Sequence, residues 1–193
     1  MSTVKTTNIT HGSNSGTANV VLDSSGNTTV SGNLTVSGTN GFFQSYAILE
    51  DQKSAASDGG TATSGDGWFT RDLNTEVADP DSITSLSSDK FTLQAGNYLI
   101  KWIVPTYRTG ESHTRLYDVT NSATRGLGTS GYVNSSDSTQ VHMHGSARVS
   151  PSGATEYRIE HNVAVTKASN GRGVACNLGV NEVYTHVEIY KEA

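Results

Sequence analysis

The chain has 193 residues, 34% of them hydrophobic and 16% charged, with 20 glycines and a formal net charge of −5. That length suits one domain of ordinary size with a short extension, and few apolar side chains among many turn formers disfavour helix-rich classes and favour an all-β sandwich. A negative net charge offers no field for phosphates, so nucleic acid is excluded as an expected partner, and the single Cys176 excludes an intrachain disulfide framework.

No apolar run approaches the roughly 18 residues of a membrane helix, and Met1-Ser-Thr-Val-Lys5 leads into polar sequence rather than an apolar signal region. A soluble chain without membrane insertion is expected. Asn8, Asn27, Asn33 and Asn134 each open an Asn-x-Ser/Thr sequence, which without a secretory signal is the chance yield of a Ser/Thr/Asn-rich chain.

Residues 1–44 hold few large apolar side chains, chiefly Ile9, Val20, Val21, Leu22, Leu34, Phe42 and Phe43, too few for a core. They do repeat. Gly26-Asn-Thr-Thr-Val-Ser31, Gly32-Asn-Leu-Thr-Val-Ser37 and Gly38-Thr-Asn40 share a six-residue period, each unit a strand fragment ending in a glycine turn. Units this small become stable by stacking or by winding several chains around one axis, so a short intertwined β stalk is expected here.

From residue 45 the pattern is a succession of strands. Tyr46–Glu50 comes first, then a Gly/Ser/Ala/Asp-rich exposed loop to Gly67, with a short helix over 47–56 as the alternative. Trp68–Val77 reads as one extended segment closed by the turn Asp79-Pro-Asp-Ser82, and 82–86 as a short strand. Phe91–Leu93 and Tyr98–Tyr107 read as a hairpin turning at Gly96-Asn97. On its second strand Tyr98, Ile100, Trp102 and Val104 make a core face, and Pro105 closes the ladder. Leu99, Lys101 and Ile103 form a mixed outer face that suits cover by a neighbouring sheet or another copy.

Strands follow at 113–119, at 139–149 with Val141, Met143, Ala147 and Val149 inward, and at 156–165 with Tyr157, Ile159, Val163 and Val165 inward. Further strands at 173–178 and 182–190 complete the set, the last with Val183, Val187 and Ile189 on one face. Eight to ten short strands without a helical period mean an antiparallel two-sheet sandwich. Deleting residues 183–193 is expected to leave insoluble protein.

Gly126-Leu-Gly-Thr-Ser-Gly131 matches a dinucleotide fingerprint but runs into Tyr-Val-Asn-Ser-Ser with no helical period, so it reads as a loop. No nucleophile elbow, zinc-protease helix or phosphate-binding loop occurs; neither an enzyme nor a cofactor is expected. His142 and His144 share one face of a strand about 7 Å apart, and copies meeting on a trimer axis would bring six imidazoles around an ion. Asp79 and Asp81 suit a turn better than calcium. Tyr107, Arg108, His113, Tyr132 and Arg172 fall at loops or strand ends, where aromatic and cationic groups contact glycans or a host surface. Arg71 and Asp72 point to opposite faces and read as part of a structural ion pair.

Phe91-x-Leu-x-x-Gly-x-Tyr98 followed by an apolar strand resembles jelly-roll domains of the complement C1q and tumour-necrosis-factor type. Tyr46–Gln52, Thr70–Val77, Tyr117–Asn121, Gly145–Arg148 and Glu182–Glu192 resemble the C-terminal jelly rolls of tailed-phage fibre and virion-decoration proteins, a likeness covering about 45–193. Residues 1–39 are similar to attachment segments of such proteins. The resemblance implies a homotrimer on the virion surface, assembled in the host cytoplasm. Its segment 1–44, with Ile9, Val20, Val21 and Leu22, would attach to other virion proteins, and its jelly roll (45–193) would be presented to the host. Host attachment is the leading expectation, capsid decoration or cementing the alternative, and a free carbohydrate-binding lectin the third.

Overall fold

The structure, a computed structural model, describes residues 8–9, 20–22, 24–25, 28–30, 43–65 and 67–192. The chain divides into two units, Met1–Asn40 and Gly41–Ala193. In the first, β1 (Asn8–Ile9), β2 (Val20–Leu22) and β3 (Thr28–Val30) form an antiparallel sheet in that order, with Asn8 opposite Val21 and Val20 opposite Val30. The expected attachment residues Ile9, Val20, Val21 and Leu22 lie on β1 and β2. β3 is the strand fragment of the first six-residue unit; the second and third units lie outside the described residues.

The second unit contains β4 (Phe43–Lys53), β5 (Phe69–Thr70), β6 (Thr75–Ala78), β7 (Thr84–Ser87), β8 (Lys90–Leu93), β9 (Tyr98–Tyr107), β10 (Gly110–Asp118), β11 (Ala123–Leu127), β12 (Gly131–Val133), β13 (Gln140–Val149), β14 (Thr155–Val163) and β15 (Glu182–Glu192). One antiparallel sheet runs β13-β9-β15-β4-β6. The other runs β11-β10-β14-β8-β7, with β12 added on β10 and β5 on β14. This is the expected all-β two-sheet sandwich. The strands outnumber the eight to ten expected because short pieces split off: Trp68–Val77 breaks into β5 and β6, which join opposite sheets.

The core follows the two-residue period. Tyr98, Ile100, Trp102 and Val104 of β9 pack with Leu49, Phe91, Leu93, Leu116, Tyr157, Ile159, Val187 and Ile189, all buried. Trp102 reaches across to Gly145, where an added Cβ would sit 2.0 Å from the indole, and its Nε1–H donates to Thr114 Oγ1 at 3.0 Å. Toward one end of the sandwich four strands change character together. Val104 gives way to Thr106, Leu116 to Thr114 and Ser112, Ile159 to His161, and Val187 to Thr185, and the polar members are as buried as the apolar ones.

Several expectations change. Phe91–Tyr107 is not a hairpin: β8 and β9 lie in opposite sheets, and Gly96-Asn97 arches the chain between them, its groups bonded to Pro151 and Glu192. Pro105 does not close the ladder either. It pairs with His142 inside β9, and its missing donor faces the side where β15 pairing has already ended at Ile103, so no bond is lost. The 51–67 segment is strand to Lys53, which removes the helix alternative; beyond it the described residues form a loop, exposed as expected at Ser54, Ala55 and Ala56 and pinned at Gly59, Gly60 and Ala62, which bond to Gly173, Ser169 and Lys167.

Residues 173–178 form no strand, because the Glu182 carboxylate gathers the N–H groups of Cys176, Asn177 and Ala56 into a loop. Val165 lies past the end of β14 and is exposed. Val183 is exposed because a register shift between Val183 and His186 turns it off the face of Val187 and Ile189. Among the described residues Arg71 pairs with no carboxylate in contact; Asp72 is held by Lys53 and Arg172 instead. The Asp79 turn forms as expected, its carboxylate accepting from the N–H groups of Ile83 and Thr84 at 2.8 and 2.9 Å.

Candidate functional site

On the outer face of the β10 sheet, alternation places Glu111 and His113 in phase, and the register sets Tyr132 of β12 opposite Glu111 and Asn162 of β14 opposite His113. Trp68, just before β5, lies at the far side of β14 and its ring reaches back over the sheet. The Arg115 guanidinium stands 4.4 Å from its ring centre and the His113 imidazole 6.3 Å. Trp68, Glu111, His113, Tyr132 and Asn162, with Ser130, line a cleft of about 580 Å³.

His113 Nε2–H donates to the Gly128 carbonyl at 2.8 Å, which fixes the tautomer and orients the ring. The other polar groups of the cleft have no such work. The Trp68 indole N–H, Glu111 carboxylate, Ser130 hydroxyl, Tyr132 hydroxyl and Asn162 amide make no side-chain hydrogen bond within the described residues. Tyr132 is 62% exposed, an aromatic ring held in water by a three-residue strand. Ring faces beside free donors and acceptors suit a ligand that is apolar on one face and hydroxylated at its edges.

No family model matches the chain, and no curated protein matches it. Solved structures do. Murine APRIL at pH 5.0 is similar at 10% identity over 76% of this chain and 98% of its own, with a TM-score of 0.52. The globular domain of zebrafish complement 1qA protein matches at 13% identity over 76% and 95% of the two chains, and Eiger TNF from S. frugiperda at 10% over 77% and 92%, each with a TM-score of 0.48. The fold is a C1q/TNF-like jelly roll. Likeness at such identity shows the fold alone.

Of the five loop and strand-end residues named from sequence, the jelly roll brings His113 and Tyr132 into the cleft and places the other three elsewhere. Arg108 lies over the Tyr107 ring at 5.2 Å and donates to the carbonyls of Asp137 and Ser136 and to Ser138 Oγ, bracing the loop before β13. Arg172 donates to the Thr61 carbonyl, pairs with Asp72 and lies 4.9 Å over the Phe69 ring. Trp68, Glu111 and Asn162 were missed. Period two puts Glu111 in phase with His113, but only the pairing of β12 and β14 with β10 shows which residues join them.

The outer face of the β9 sheet is a second surface. Rungs across it read Arg148–Leu99–Tyr190–Tyr46, Ser146–Lys101–Glu188–Ile48 and His144–Ile103–His186–Glu50. His142 and His144 are both exposed on it, and burial together with the His144 charge lowers the His142 pKa. His186, which the sequence did not single out, bonds Glu50 through Nδ1 at 2.9 Å. Among the described residues no group of three or more His, Cys, Asp or Glu side chains stands ready to hold a metal, so the expected ion depends on contacts between copies.

Proposed function

We propose that this chain is a virion surface protein of a phage, a short homotrimeric fibre attached through residues 1–44, whose jelly roll binds a glycan on the host surface. The observation that carries the reading is the Trp68–Glu111–Tyr132–Asn162 cleft. A saccharide ring offers C–H faces to Tyr132 and Trp68 and hydroxyls to the free carboxylate, amide and indole N–H. The trimer is supported by the outer face of the β9 sheet, where Tyr46, Ile48, Leu99, Ile103 and Tyr190 interrupt the charged side chains and the Phe43 ring lies tilted against Tyr190, their centres 4.7 Å apart. Three copies on one anchored particle make weak sites act together, so the cleft need not bind tightly alone.

The test combines a glycan array with a phage-adsorption assay. Purified chain, trimeric by light scattering, should bind a defined set of glycans and block adsorption, and Tyr132→Ala and Trp68→Ala should lose both. Monomeric protein, or adsorption unaffected by saturating chain, would overturn the attachment reading. In that case gold labelling spread over the phage head would transfer the role to capsid decoration.

A further inference from the structure

The polar end of the sandwich interior encloses a guanidinium with no carboxylate of the described residues against it. Phe69 is opposite His161, Thr70 is opposite Glu160, and the Arg71 N–H donates to the Ile159 carbonyl at 2.9 Å. Arg71 and His161 are therefore diagonal neighbours on one inner face, their Cβ atoms about 7 Å apart. Both are buried, at 1% and 0% exposure. Arg71 Nε donates to Thr185 Oγ1 on the opposite sheet at 3.2 Å, and Nη2 donates to the Arg172 carbonyl at 2.8 Å. Among the described residues Nη1 has no partner, and neither ring nitrogen of His161 has one.

The surrounding charges do not balance. Asp51 and Asp72 act on Arg71 from a distance while Arg172 repels it. Lys53 sits 3.2 Å from Asp51 and 3.0 Å from Asp72, and Arg172 also pairs with Asp72. Among the described residues two carboxylates thus serve three cations. His161 adds no charge, because burial, then Arg71 and Arg172, hold it neutral. A buried cation left over in this way is costly. A water would bond Nη1 but leave the charge uncompensated, whereas an anion answers both.

We propose that the polar end of the jelly-roll interior binds a small monovalent anion of the halide class, held by Arg71 Nη1 and the free N–H of His161. The free donors select its size. Nη1 and one imidazole N–H are too few to satisfy the oxygens of sulfate or phosphate. Through one charge the anion links Arg71, which follows β5 and bonds Thr185 of β15, to His161 of β14.

The full chain is crystallised in sodium bromide and examined by anomalous diffraction, and its thermal unfolding is followed in bromide and in gluconate at matched ionic strength. A bromide peak between the sheets against Arg71 Nη1 is expected. At bromide concentrations well above the dissociation constant each tenfold rise should lower the unfolding equilibrium constant about tenfold, with no such response in gluconate. Arg71→Gln should abolish the bromide response. Should that variant fail to fold, the wild-type crystal and melting curves decide alone. A water bridging Nη1 to the unpartnered Asp51 Oδ2, or equal melting in the two salts, would overturn the site.

Discussion

The two ends of the sandwich interior solve the same packing problem in opposite ways. At one end Phe91, Leu93, Tyr98, Val149, Tyr157 and Ile189 exclude water by apolar contact, and the buried carboxylate at that rim is fully answered. Asp118 accepts from the Asn121 backbone N–H at 2.9 Å and side-chain amide, and from Arg125 at 3.0 and 2.7 Å. At the other end Thr106, Thr109, Ser112, Thr114 and Thr185 bury hydroxyls, Thr185 bonded to Arg71, whose Nη1 has no partner among the described residues. The apolar end holds by area removed from water, and the polar end holds only as far as its hydrogen bonds are complete. One fold therefore contains a region held by apolar contact and a region held by its hydrogen bonds.

Trp102 stands at the boundary and gives the largest test. Its ring belongs to the apolar core, and its indole N–H reaches the first hydroxyl of the polar end, Thr114. Trp102→Ala should cost about 3–5 kcal/mol by urea unfolding, whereas Trp102→Phe should keep most of the ring packing and lose about 1 kcal/mol for the missing donor. Equal losses in the two variants would mean that the hydrogen bond, not the packing, marks the boundary.

Much of the apolar end was legible in the sequence and little of the polar end was. Alternation alone assigns Tyr98, Ile100, Trp102 and Val104 to the core, and Met143, Ala147 and Val149 likewise, because apolar side chains repeat at the strand period. The same alternation misled at Val183, where a register shift cancels it, and at 173–178, where a carboxylate nine residues or fewer along the chain gathers the backbone into a loop. Turn residues announced a reversal at Gly96-Asn97 without saying that it crosses between sheets. In the candidate site His113 and Tyr132 were visible as strand-end residues. Trp68, Glu111 and Asn162 were not, since cross-strand register is a property of the fold and not of any local pattern.

Acid tests the charged rim of the apolar end next. Burial pushes the Asp118 carboxyl upward, but the Asn121 amide and backbone N–H and the Arg125 guanidinium outweigh it and hold its pKa below the ordinary 3.8. A depressed folded pKa gives stability that is fully present above the unfolded value and lost as pH falls through the folded one. Asp118→Asn should thus cost about 1–2 kcal/mol at neutral pH, moderated because Arg125 is partly in water, and the gap to wild type should close as pH drops below about 4. A gap that persists in acid would place the loss in the turn geometry rather than in the charge.

The smallest expected effect tests the premise about the polar end directly. Thr106 Oγ1 lies 2.5 Å from Thr109 Oγ1 and 3.4 Å from Ser112 Oγ, and the latter two lie 2.8 Å apart. Thr106→Val keeps the branched shape, removes one hydroxyl from the cluster and leaves the other two bonded to each other. If completed hydrogen bonds stabilise this end, the variant loses about 1 kcal/mol by urea unfolding. If burying the hydroxyl costs more than its bonds return, the variant is neutral or more stable. The second result would mean that the polar end is carried for what it holds rather than for the stability it adds, because an apolar replacement would then have been the more stable filling for the same space.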